Sequence, residues 1–66
     1  MKDYLIKMIS EGRTIVFVFD KFNSFSADKV VDVMETENEL LVVGQVDFKR
    51  KALINLLQVN YIRVVD

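Results

Sequence analysis

The residues of this chain best suited to chemistry are the run Phe48, Lys49, Arg50 and Lys51, with Arg63 placed to join it from the last apolar segment. A phenylalanine among cations can stack a base while lysine and arginine hold phosphate. The competing reading is a solvated hairpin tip whose lysines blunt a sheet edge. A second group lies in "KFNSFS", where Phe22 is expected in the core and Phe25 either forms a stacking platform or caps the core. Asn23, Ser24 and Ser26 are then available to a base or ribose edge. Asp20, Asp28, Asp32 and Asp47 are scattered and expected to be solvated rather than gathered around a metal. With no His and no Cys, the chain lacks the usual general base and soft nucleophile. It also carries no glycine-rich phosphate loop and no G-x-S-x-G. Neither an enzyme nor a bound cofactor is expected.

The 66 residues allow one domain, spanning 1–66. A core of this size rarely yields more than about 3–5 kcal/mol, so small domains usually add a staple. The absence of Cys and His excludes disulfides and the common zinc sites. The composition is 52% hydrophobic with five Phe and two Tyr, more apolar surface than so small a core can hide, which favours a homo-oligomer. A formal charge of −1 argues against a general nucleic-acid coater but leaves room for a local basic pocket. Lys2, Asp3 and Lys7 interrupt the N-terminal segment, and no apolar run approaches the ~20 residues of a bilayer span. A soluble, cytoplasmic protein without a membrane partner is expected.

Stepping along the chain, Tyr4, Leu5, Met8 and Ile9 share one helical face, which predicts a helix over 3–11 stopped by Gly12, with Ile6 pointing elsewhere. Residues 13–22, "RTIVFVFDKF", read as a strand with apolar residues on both faces. "NSFSAD" reads as a turn, "KVVDVM" as a strand, "TENE" as a polar turn, and "LLVVGQVDF" as a strand with Gly44 at a bend between sheets. "FKRKA" reads as a charged hairpin turn. The final stretch "ALINLLQVNYIRVV" is too long for one strand and too rich in Asn and β-branched residues for a helix. Its alternation changes phase at "LQVN", which predicts two strands joined by a single 3₁₀ turn with Leu57 and Val59 inward.

That order of elements, opening with "YLIKMISEGRTIVFVF" and closing with "LQVNYIRVV", resembles the Sm-like (Hfq-like) family over nearly the whole chain. The resemblance implies a mainly β fold: a short N-terminal helix followed by a five-stranded, strongly bent SH3/Sm-like small barrel over 13–65. It also implies a ring of identical subunits joined strand to strand. The chain departs from the family in its second strand, where Ala27 and Lys29 replace the usual glycine. The Lys-His pair that contacts uridine-rich RNA in the Hfq branch corresponds here to Gln58 and Val59, so only Gln58 remains for a base contact.

Two functional readings follow. The first is a non-enzymatic, oligomeric small-barrel module binding single-stranded RNA or a nucleotide through Phe25, Phe48, Lys49, Arg50, Lys51, Gln58 and Arg63. The second is a protein-interaction module, a small regulator or inhibitor that engages another protein through an apolar patch or a sheet edge.

Overall fold

A computed structural model describes residues 1–66 apart from the side chain of Phe48. Helix α1 (Lys2–Ser10) begins and ends one residue earlier than the sequence predicts. Asp3 lies in its first turn, and Gly12 ends it at φ +88°, in the left-handed region that favours glycine. The Gly12 N–H donates to the Ile9 carbonyl and the Arg13 N–H to that of Met8, the paired bonds of a Schellman stop. Leu5, Met8 and Ile9 are buried and Ile6 packs against the edge of the core, so Ile6 faces inward after all; Tyr4 is half-exposed.

Among the described residues, six strands form two antiparallel sheets. The first sheet has the order β2 (Ser24–Ala27), β1 (Thr14–Val18), β6 (Tyr61–Val65). The second has the order β3 (Lys29–Asp32), β4 (Leu40–Gln45), β5 (Phe48–Asn55). The expected turn at residues 23–28 is therefore largely strand. Phe25 pairs with Phe17 and Ala27 with Ile15, and these pairings outweigh the turn-forming tendency of the serines. The turn lies earlier, at residues 20–23. The expected hairpin turn at "FKRKA" is likewise strand, with the turn displaced to Val46 and Asp47.

The chain crosses between sheets at two places. One is Asp28, the single residue between β2 and β3; the other is a 3₁₀ turn, Leu56–Gln58, between β5 and β6. Gly44 stays within β4, so the expected crossing there does not occur; it marks instead a register shift against β5. The 3₁₀ turn is where the phase change predicts it, and the Asn55 side chain caps it by accepting the Leu57 N–H. That cap sets the inward pair as Leu56 and Val59, which pack on the core. Leu57 is 77% exposed and does not point inward.

Ile15, Phe17, Leu41 and Val43 are fully buried between the sheets with Leu5 of α1, each burial stabilising the fold by about 1.5–3 kcal/mol. Lys2 ties α1 to the β3–β4 loop by donating from Nζ to the carbonyls of Met34 and Glu37, both at 2.9 Å. No helix among the described residues is long and apolar enough to cross a membrane.

Strands β5 and β6 each end their sheet. The Leu56 N–H donates to the Glu39 carbonyl, and the Arg50 carbonyl faces Gly44. Even-numbered β5 residues thus direct their backbone groups to β4. Strand alternation then leaves those of Lys51 and Leu53 on the open edge.

Candidate functional site

The second sheet positions the basic residues. Lys29 of β3 pairs with Gly44 of β4, and Gly44 in turn pairs with Lys51 of β5. The three form one row across the sheet with no side chain at its centre. A Cβ at Gly44 would lie 2.8 Å from the Arg50 carbonyl, 3.2 Å from Lys29 Cε and 3.4 Å from Val31 Cγ2, so glycine is what lets the β5 backbone and the Lys29 side chain approach this closely. Beside this row lies a cleft of about 560 Å³ lined by Lys29, Val46, Asp47, Lys49, Arg50 and Lys51. Four cations and one carboxylate line it, with the Asp28 carboxylate at its rim, in a protein whose overall charge is −1.

Asp28 holds the rim of this cleft. Its Oδ1 accepts the Val46 N–H at 2.7 Å, and its own N–H donates to the Gly44 carbonyl at 3.0 Å. Gln45 Nε2 donates to the Ser26 carbonyl at 2.7 Å. The β4–β5 turn is thereby fastened to the β2–β3 crossing, which fixes the cationic strand relative to Phe25. The Arg50 guanidinium lies 5.5 Å from the centre of the Phe25 ring. Phe25 is half-buried against the core, so the arginine occupies the ring face a base would need.

The expected site residues separate. Lys49, Arg50 and Lys51 line the cleft and Phe25 meets it only through Arg50, whereas the side chain of Phe48 lies outside the described residues. Gln58 is exposed on the 3₁₀ turn and does not line the cleft. Arg63 sits on the outer face of the first sheet, opposite Val16, and does not join the basic run. Lys29 is the member that sequence reading missed. Its only local signal is a cation at a strand start, and its partnership with Gly44 depends on pairing with a residue 15 positions along the chain.

Arg63 belongs to a second hollow of about 260 Å³, lined by Val16, Val18, the residues 20–24, Tyr61 and Arg63. Phe22, expected in the core, is 87% exposed at its lip. The reason is the turn that presents it. Asp20 Oδ1 accepts the N–H groups of Phe22 (2.8 Å) and Asn23 (3.0 Å), and Asn23 Nδ2 donates to both carboxylate oxygens. The Phe19 N–H closes the turn on the Asn23 carbonyl at 2.9 Å. These bonds direct the Phe22 side chain outward. The Asn23 amide, followed by the Phe22 N–H, holds the Asp20 carboxyl below its ordinary pKa.

Among the described residues, no group of three acidic side chains is placed to hold a metal ion. What the arrangement can do is hold anions at the cleft and offer aromatic faces at the hollow. Compared with protein-family models, curated proteins and solved structures, the chain matches none.

Proposed function

We propose that this protein is a non-enzymatic, self-associating binding module of Sm-like type, whose cleft takes the phosphates of single-stranded RNA or of a nucleotide. The observation that carries the reading is the row Lys29, Gly44, Lys51, which brings two lysines together at the wall of the cleft in an otherwise slightly acidic protein. Lys49 and Arg50 extend the same positive surface. In this reading β2 and β3 are one strand kinked at Asp28, and the two sheets are halves of a five-stranded, strongly bent small barrel. Self-association is supported by the open edges of β5 and β6 and by the apolar residues beside them: Leu53 is 59% and Val65 43% exposed. Repetition of the cleft in an assembly multiplies a weak phosphate contact through avidity.

Native mass spectrometry together with fluorescence anisotropy of a labelled oligonucleotide tests the proposal. The expected results are a multi-subunit mass and an affinity that falls with salt, the log–log slope being roughly −0.7 per phosphate neutralised. Arg50→Glu abolishes the binding without changing the subunit count. Unchanged affinity in that variant refutes the cleft as the site.

A second reading rests on Leu53 and Leu57, exposed beside the backbone groups of the β5 edge. It makes the protein a regulator or inhibitor to which a partner adds a strand. It requires a monomer or dimer with no affinity for the oligonucleotide.

A further inference from the structure

The outer face of the first sheet is unlike the rest of the surface. Val16 and Val18 form a half-buried apolar floor, bounded by Tyr61 on β6 and by Phe22 on the turn. Cations stand on both sides. Lys21 Nζ lies 5.7 Å from the centre of the Phe22 ring, and Arg63 projects from β6 beside Val16. Ser24 is exposed opposite Val18, and Ser26 opposite Val16. Its one carboxylate, Asp20, spends its hydrogen bonds on its own turn.

A planar apolar group enters such a hollow edgewise or face-on, while the flanking cations favour a ligand carrying negative charge. Phe22 differs here from Phe25. Its neighbouring cation covers only one side of a ring that is 87% exposed, so the other face is open for stacking. The turn bonds fix the backbone that presents the ring before any ligand arrives, which lowers the ordering cost of binding. An apolar protein segment would satisfy the floor but leave Lys21 and Arg63 without a counter-charge.

We infer that this hollow is a base-stacking subsite for single-stranded nucleic acid, with Phe22 and Tyr61 as stacking faces and Lys21 and Arg63 as phosphate contacts. The inference rests on the phosphate-binding reading of the cleft and adds to it a contact that reads the base rather than the backbone.

Two probes separate the sites: a fluorescein-labelled oligoadenylate, which carries bases, and inorganic polyphosphate, which carries only charge. Phe22→Ala weakens oligoadenylate binding roughly 5- to 150-fold, the range expected for one stacked base. It leaves polyphosphate affinity unchanged, and Phe22→Trp restores binding with indole fluorescence quenched on addition of oligoadenylate. Phe22 is exposed, so neither variant removes a core contact. Oligoadenylate affinity unchanged in Phe22→Ala overturns the subsite while leaving the cleft intact. A change confined to subunit mass makes the ring a protein contact and also overturns it. Failure of the wild type to bind either probe removes the cleft reading and the subsite together.

Discussion

The cleft at Lys29, Gly44 and Lys51 and the hollow at Phe22, Tyr61 and Arg63 are built in opposite ways. In the cleft the backbone supplies the shape, because Gly44 lets β5 and Lys29 approach closely, and long flexible side chains supply the charge. The Phe25 ring beside it is already covered by Arg50. In the hollow a side chain supplies the shape, because Asp20 ties the turn, and the aromatic ring is free. The difference predicts different chemistry. A cleft of cations responds to salt and is indifferent to the base, whereas an aromatic platform responds to the base and less to salt.

The largest expected effect breaks both regions at once. Phe17 is fully buried between its partners Phe25 and Ile62, and Phe17→Ala costs about 3–5 kcal/mol. That equals the whole stability expected of so small a core, about 3–5 kcal/mol. Circular dichroism should show an unfolded chain, with loss of oligoadenylate and polyphosphate binding together. Retention of a cooperative melt near the wild-type temperature would mean that the core is not what holds the two regions.

Gly44→Ala is narrower. The added methyl meets the Arg50 carbonyl, a backbone atom that cannot move without disturbing β5. A destabilisation of about 1–3 kcal/mol is expected by denaturant titration, with polyphosphate binding weakened. The turn at Phe22 lies on the other sheet and should be unaffected. Wild-type stability and affinity in this variant would show that the close approach at Gly44 is not needed.

The smallest effect falls on the turn alone. The depressed pKa of Asp20 means that its contribution to the turn is full above the unfolded value of about 3.9 and is lost as pH falls through the lower folded value. The wild-type turn should therefore keep its form through mildly acidic pH. Asn23→Ala removes the largest cause of that depression and should return the Asp20 carboxyl toward its ordinary range in a carbon-detected NMR titration. Global stability should scarcely change, since the group is fully exposed. An unmoved Asp20 titration would show that the Asn23 amide does not hold the carboxylate.

Elements whose signals are local were legible from the chain. Gly12 ends α1 as expected, and the phase change at "LQVN" places the 3₁₀ turn. Tyr61, Arg63 and Val65 are exposed while Ile62 and Val64 face the core, as simple alternation predicts. Residues whose role depends on a distant strand were misread. Ser24 and Ser26 suggested a loop because their outward positions are polar, but Phe25 and Ala27 between them pair across to β1. Charge disguised Lys49–Lys51 as a turn, although Lys51 lies opposite Gly44. Hydrophobicity alone places Phe22 and Leu57 inward, but a side-chain cap in each turn fixes a backbone that directs them outward.

Taken alone, the order of residues determined a short helix, a succession of β-forming runs, the closing 3₁₀ turn and the absence of His and Cys chemistry. Periodicity, capping and composition act over a few neighbouring positions, so they are present in the chain before it folds. Tertiary structure alone decided that Lys29 and Lys51 share a row through Gly44, that Arg50 covers Phe25, and that Arg63 keeps company with Phe22 instead of the basic run. Those associations depend on strand register, where a one-residue slip exchanges the two faces of a sheet. Register is selected by burial of the whole core, a property no short segment carries.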